Sequence, residues 1–278
     1  MPPAPLPSGE TNWDAFYNED RVLRFAGTDD RLVLALGHRA TELWSLEPLE
    51  RIAQLDLPGE VPVTALDVGA DGTLVATGDE SGWVAVWSAR TGEPLQGPIE
   101  VSGRVTALHL DPSGGRLAIG AESGRAYVLA RADGSLRALE HGVEHDSDGA
   151  CIEEVRFDPS GETLVTLAPW GRPQVCAWDP DSGRLLWRYG GRLTRGIARF
   201  SPDGERLFLS ARGIVLDART GAVLYATFPA TGTPLTLDSN GFVAWSLDGD
   251  RLSVFTFNDR VAVRDLRITD PGDRAGPR

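Results

Sequence analysis

The fold is decided by a short stretch of sequence, VCAWDPDSGRLLW at residues 175–187. An apolar run ends at Trp-Asp, turns through Pro-Asp-Ser-Gly, and continues as a second apolar run. The same arrangement recurs as VAVWSARTGEPLQ at 84–96, YVLARADGSLRAL at 127–139 and IVLDARTGAVLYA at 214–226. A segment that recurs in this way is an architectural unit, so the chain is interpreted as a series of repeats.

A second motif, a turn rich in Asp and Gly followed by leucine, marks the same period. It reads GTDDRL at 27, GADGTL at 69, DPSGGRL at 111, DPSGETL at 158, SPDGERL at 201 and SLDGDRL at 246. The closing leucines are spaced by 42, 43, 47, 43 and 45 residues. A period of this size is typical of stacked supersecondary units, and six of them are counted.

Each unit has the pattern of short strands separated by turns. In the second unit, VTALDV at 63–68 and LVATGD at 74–79 flank Ala-Asp-Gly, VAVWSA at 84–89 follows, and a shorter strand begins near Pro94. Val, Leu, Trp and Thr between Asp-Gly or Ser-Gly turns are hairpin signals. The sequence therefore predicts an all-β fold, a single β-propeller of four-stranded antiparallel blades, with six blades counted and seven not excluded.

The tryptophan of the opening stretch has a structural interpretation. A large apolar residue recurs on the third strand, and we predict that it fills the space between neighbouring blades. The glycine five residues later supplies the turn into the fourth strand. The positions on the third strand are Trp44, Trp87, Leu129, Trp178 and Leu216, and the glycines are Gly92, Gly134, Gly183 and Gly221.

These residues also carry a family resemblance. Trp178-Asp179, the degenerate forms Trp44-Ser45, Trp87-Ser88, Leu216-Asp217 and Arg264-Asp265, and the Pro-Asp-Gly turns make the chain resemble a bacterial WD40-repeat protein over residues 21–266. The Gly-His pair usual in that family is absent, apart from the inverted His141-Gly142. Six-bladed propellers of the TolB type remain a structural alternative.

The domain boundaries follow from the ends of the repeat pattern. Residues 1–10 are expected to be a flexible Pro-rich terminus, 11–269 the propeller, and 270–278 a disordered tail. The sixth unit lacks a fourth strand in the sequence pattern. We predict that TNWDAFYNE at 11–19 supplies it and closes the ring, because an open sheet edge promotes aggregation.

Composition narrows the partners. The formal net charge is −13 and the chain contains no lysine. This overall field repels nucleic acids and anionic membranes, so neither is expected as a partner. The two cysteines cannot form a disulfide framework, and the N-terminus has no signal-peptide pattern. We expect a cytoplasmic protein that is a monomer on its own.

Residues with catalytic potential are few. GDESG at 78–82 and GAESG at 120–124 place serine one position away from the G-x-S-x-G pattern and fall at equivalent repeat turns. HGVEHDSD at 141–148 lacks metal-site spacing, and neither a metal nor a cofactor is expected. The predicted innermost strands carry acids only at Asp67, Glu153 and Glu154.

Two classes of function remain. The resemblance to WD40 proteins implies a non-catalytic scaffold or adaptor that binds a protein partner. The alternative is a six-bladed hydrolase or lactonase with a metal at the channel mouth, or a small-ligand sensor.

The binding face follows from strand parity. The first and third turns of each blade repeat, whereas the opposite face carries loops that differ between units. An aromatic residue beside arginines is typical of binding hot spots. The predicted partner-binding residues on this face are His141, Glu144, His145, Trp170, Arg172, Arg192 and Arg195.

Overall fold

The computed structural model describes most of the predicted propeller. It covers residues 21–26, 31–36, 41–46, 48–59, 61–140, 151–168, 175–190, 197–209, 214–226, 242–245, 251–258 and 260–267. All regular structure in these ranges is β. They contain no helix that is long and apolar enough to cross a membrane.

The strands follow the units that the repeats predict. Their bounds are β1 Arg21–Ala26, β2 Arg31–Leu36, β3 Thr41–Leu46, β4 Leu49–Gln54, β5 Val63–Val68, β6 Leu74–Asp79, β7 Trp83–Ser88, β8 Pro94–Glu100, β9 Val105–Leu110, β10 Arg116–Ala121, β11 Ala126–Ala130, β12 Leu136–Leu139, β13 Glu154–Phe157, β14 Leu164–Leu167, β15 Val175–Trp178, β16 Leu185–Tyr189, β17 Ala198–Phe200, β18 Arg206–Leu209, β19 Ile214–Asp217, β20 Val223–Ala226, β21 Phe242–Trp245, β22 Arg251–Asn258 and β23 Arg260–Arg267.

These strands form six separate sheets in which spatial order follows chain order. Five sheets have four strands each, β1–β4, β5–β8, β9–β12, β13–β16 and β17–β20, and every described pairing is antiparallel. This arrangement confirms the all-β propeller of four-stranded blades, because each repeat of 42–47 residues forms one sheet.

The sixth sheet, β21–β23, has three strands within the described residues. Its missing fourth strand was assigned to residues 11–19. Those residues, the Pro-rich terminus 1–10 and the tail 270–278 lie outside the described residues. Ring closure by the N-terminus therefore stays a prediction.

The core lies between the sheets rather than within any one of them. Four apolar clusters join blades one and two, two and three, three and four, and four and five. Side chains alternate along a strand, so each blade sends one set to each neighbour. On β7, for example, Trp87 packs toward the first blade while Val84 and Val86 pack toward the third.

The tryptophans of the third strands occupy the predicted positions. Trp178 is 2% exposed and lies in the cluster between blades three and four. Its indole Nε1 donates to Thr166 Oγ1 at 2.9 Å, and Trp87 Nε1 donates to Thr77 Oγ1 at 2.8 Å. Burying an indole requires a partner for its N–H, and a threonine on the second strand provides it in both blades.

The turn glycines have a role that the sequence pattern does not reveal. Gly221 has a φ of 72°, which favours glycine, and a Cβ there would lie 2.7 Å from Cε3 of Trp187 in the preceding blade. Gly204 similarly faces Asp158 and Pro159 of the blade before it. These turns therefore fix both the local backbone and the close approach of neighbouring blades.

Candidate functional site at the central channel

The innermost strands of successive blades lie side by side and are cross-linked by their side chains. Thr64 Oγ1 on β5 donates to the carbonyl oxygen of Val105 on β9 at 2.6 Å. Thr106 Oγ1 on β9 donates to the carbonyl oxygen of Ile152, just before β13, at 2.5 Å. Threonine at the same position in two blades thus joins each inner strand to the next.

A second set of links satisfies the exposed N–H groups of these inner edges. Asp67 Oδ2 on β5 accepts from Leu110 N at 2.7 Å, and His109 Nδ1 on β9 accepts from Phe157 N at 3.1 Å. An innermost strand has no neighbour on one side, so its free N–H groups need other partners. Here a side chain of the preceding blade supplies the acceptor.

Polar residues occupy one register position along the channel. Asp67, His109, Arg156 and Arg199 are each the penultimate residue of their innermost strand. The first two accept a backbone hydrogen bond from the next blade, whereas the two arginines cannot accept one. The position therefore changes from acceptor to donor between blades three and four.

Glu154 connects the two arginines. Its Oε1 lies 3.2 Å from Arg156 Nε and 2.5 Å from Arg199 Nη1, and its Oε2 accepts from Ala198 N at 2.6 Å. The side chain of Glu154 is 14% exposed, compared with 28% for Arg156 and 33% for Arg199. One carboxylate shared by two guanidinium groups leaves an excess of positive charge at this point.

These strands enclose a cavity of about 290 Å³. Ala, Leu, Val and Ile side chains form part of its wall, and its polar lining residues are Thr64, Thr106, Glu153, Glu154, Arg156 and Arg199. This volume is at the lower end of the range for small-molecule sites. Hydroxyl, carboxylate and guanidinium groups meet in one concave surface.

The two arginines also act on His109. Burial lowers the pKa of His109 to about 3, and the positive charges of Arg156 and Arg199 contribute to this shift. The imidazole is therefore neutral at physiological pH. Because Phe157 N donates to Nδ1, the neutral ring carries its proton on Nε2.

The acidic residues of the channel are engaged by the fold. Asp67 accepts a backbone N–H, and Glu154 is paired with two arginines. In the described ranges, no group of three or more His, Cys, Asp or Glu residues is placed to hold a metal ion. The hydrolase or lactonase alternative, which needs convergent carboxylates at the channel mouth, is not favoured by this arrangement.

The end of the propeller formed by the first and third turns uses its polar groups internally. Asp71 accepts from Thr73 N at 2.9 Å, and Ser113 Oγ donates to Asp111 at 2.8 Å. Arg116 pairs with both Asp111 and Asp181, and Arg116 Nη2 donates to the carbonyl oxygen of Gly161 at 2.7 Å. We call this end the repeat-turn face. Hydrogen bonds within and between its turns fix its conformation.

The opposite end, the variable face, carries the second turns and the crossovers between blades. The turn at 79–82 packs on the crossover at 101–104, because a Cβ on Gly82 would overlap the carbonyl oxygen of Val101. Asp79 organises this turn, since its Oδ1 accepts from Ser81 N at 2.9 Å and from Trp83 N at 2.8 Å. Asp79 is fully buried, and its Oδ2 has no partner within the described residues.

Burial raises the pKa of Asp79, against the hydrogen bonds that lower it. The folded state therefore holds this proton more tightly than the unfolded state, and stability falls as pH rises from about 4 through the folded-state pKa. We expect Asp79→Asn, which cannot ionise, to lack this decline. Urea unfolding of both proteins between about pH 4 and pH 7 measures it. A pH-independent difference between the two free energies would contradict the assignment.

All seven residues predicted to bind the partner lie outside the described residues. They are His141, Glu144, His145, Trp170, Arg172, Arg192 and Arg195. Their grouping on the variable face stays a prediction from strand parity. The described parts of that face are the turns at 79–82 and 121–125 and the crossover at 101–104.

Sequence reasoning overlooked the channel network. His109 was interpreted as an isolated packing residue, whereas it accepts a hydrogen bond from the next blade. One signal was present, because the penultimate residue of each innermost strand is polar in four successive units. That signal has meaning only once the repeats are aligned as blades.

Comparison with known proteins supports the repeat assignment. The WD40 family model, described as WD domain, G-beta repeat, matches residues 52–88. The PQQ_2 model, described as outer membrane protein assembly factor BamB, matches residues 153–268. The computationally designed Ika8 protein has a TM-score of 0.62 at 20% identity, covering 90% of this chain and 75% of Ika8. That likeness supports the fold alone.

Several sequence relatives carry WD-repeat or related names. A WD repeat-containing protein of Deinococcus radiodurans is 27% identical over 62% of this chain and 74% of its own length. Protein HIR1 of Eremothecium gossypii is 23% identical over 69% of this chain but only 28% of its own length. ROOT INITIATION DEFECTIVE 3 of Arabidopsis thaliana is 26% identical, and the match takes up 41% of it. The chain is a WD40-repeat β-propeller protein.

Proposed function

We propose that this protein is a non-catalytic scaffold that binds a protein partner on the variable face of its propeller. WD40-repeat proteins typically bind protein partners, and rigid scaffolds that carry diverse loops are suited to this task. The observation that carries the proposal is the contrast between the two faces. The repeat-turn face consumes its polar groups in hydrogen bonds between its own turns, as for Arg116 with Asp111 and Asp181.

The variable face supplies the residues for contact. Its crossover at 140–151 is strongly acidic, and the neighbouring segments carry Trp170, Arg192 and Arg195. Tryptophan and arginine dominate the energetics of protein interfaces, and rim charges make association sensitive to salt. We therefore expect Trp170 to anchor the partner and the arginines to attract its acidic groups.

The test is a triple variant, Trp170→Ala with Arg192→Glu and Arg195→Glu. We expect affinity capture from native cell extract, analysed by mass spectrometry, to lose partners that the unmodified protein retains at low salt. The same extract, bait concentration and salt concentration are used for both proteins. Thermal unfolding checks that the variant is folded.

A matched control carries the same change of charge on the repeat-turn face. Arg184→Glu with Arg219→Glu alters two exposed arginines of the third turns. We expect this control to capture the same partners as the unmodified protein. Equal capture by the triple variant, or equal loss in the control, places the interface elsewhere.

A further inference from the structure

The starting point is the contact between His109 and Arg156 at the channel. Arg156 Nη1 lies 3.4 Å from His109 Nε2. The other ring nitrogen, Nδ1, already accepts from Phe157 N at 3.1 Å. A neutral imidazole has one donor and one acceptor nitrogen, so accepting at Nδ1 makes Nε2 the donor.

Two donors therefore face each other. A guanidinium can only donate, and the Nε2–H of His109 can only donate as well. They cannot bond to one another at 3.4 Å, and protonation of the ring would not help, since both nitrogens of an imidazolium are donors. The arrangement is satisfied by an acceptor atom that both groups share.

Arg156 is well held for such a role. Its Nε donates to Glu154 Oε1 at 3.2 Å, so the described contacts of Arg156 engage Nε and Nη1 but not Nη2. The same residue lines the cavity of about 290 Å³, as does Arg199. Preorganised guanidinium donors at a concave surface are favourable for binding an oxyanion.

We propose that the channel binds a small carboxylate, with one oxygen shared between His109 Nε2–H and the guanidinium of Arg156. The excess of two arginines over Glu154 supplies the positive charge, and the cavity wall supplies space for a short carbon chain. This site is distinct from the proposed partner-binding face and does not depend on it.

Blade two shows how the fold meets the same need without a ligand. At the position equivalent to His109, Asp67 accepts the backbone N–H of the next blade with its own carboxylate at 2.7 Å. His109→Asp would place such a carboxylate beside Arg156. This variant should fold, because it copies an arrangement already present one blade away, and it should make an external anion unnecessary.

The first measurement tests the tautomer. Long-range ¹H–¹⁵N correlation spectra of the histidine rings, with His109 assigned by comparison with His109→Asp, should show a neutral ring protonated at Nε2 at neutral pH. Addition of sodium acetate should shift the His109 ring signals, whereas sodium chloride at equal ionic strength should not. A ring protonated at Nδ1 would overturn the proposal.

The second measurement tests binding. Acetate, compared with chloride at equal ionic strength, should raise the thermal unfolding temperature of the unmodified protein and of Arg125→Gln, an exposed arginine outside the cavity lining. Arg156→Gln should weaken the acetate response at least about tenfold in concentration, because a charge-assisted hydrogen bond is lost. His109→Asp should show no response.

The outcomes separate a site from an incidental effect. An equal response to acetate in the unmodified protein, Arg156→Gln and His109→Asp means an adventitious ion only, and overturns the proposal. A lack of response in the unmodified protein means that water is the shared acceptor, and also overturns it. Should Arg156→Gln fail to fold, His109→Asp still decides between these results.

Discussion

Gly82→Ala should lower the free energy of unfolding by about 2–5 kcal/mol, because the substitution combines backbone strain with a steric overlap. Gly82 has a φ of 95°, which disfavours any residue with a Cβ. The new Cβ would overlap the carbonyl oxygen of Val101 and lie 2.9 Å from that of Gly103. Both are backbone atoms of the crossover between blades two and three, so neither can move without shifting the chain.

Gly59→Ala is the matched control for the strain alone. Gly59 has a φ of 93°, but a Cβ there would meet no atom within 4 Å. We expect this variant to lose only about 1–2 kcal/mol. Urea unfolding of the two variants separates the contributions, and equal losses would contradict the close packing of the 79–82 turn against the 101–104 crossover.

Trp178→Ala should cost about 3–5 kcal/mol, because it opens a cavity between blades three and four. Trp178 is 2% exposed and packs in the cluster that joins those two blades. Leu95→Ala serves as the surface control, since Leu95 is 50% exposed on the outermost strand of blade two, and we expect a change within about 0.5 kcal/mol. Denaturant unfolding measures both.

The hydrogen bond of the indole can be separated from its packing. Trp178→Phe keeps most of the apolar volume but removes the N–H that donates to Thr166 Oγ1 at 2.9 Å. Combining Trp178→Phe with Thr166→Val completes a double-mutant cycle. We expect a coupling free energy of about 0.5–1.5 kcal/mol, and additive effects would show that the bond contributes nothing to stability.

Much of the fold could be predicted from the sequence because its determinants are local. The turn motifs, such as DPSG at 111–114, and the alternation of apolar residues fix where each strand begins and ends. The recurrence of these motifs is sufficient to give one sheet per unit. The position of Trp178 between blades is also a local property, since it follows from its place on the third strand.

The channel was decided by tertiary structure. Asp67 and Leu110 are 43 residues apart, and His109 and Phe157 are 48 residues apart, so no local pattern indicates that they meet. Which side chain reaches which free N–H depends on the angle and offset between neighbouring blades. The donor–donor contact of His109 with Arg156 arises in this way, because a histidine follows an aspartate at one register position while an arginine occupies that position in the next blade. Sequence determined the blades, and their packing around the axis determined the chemistry of the channel.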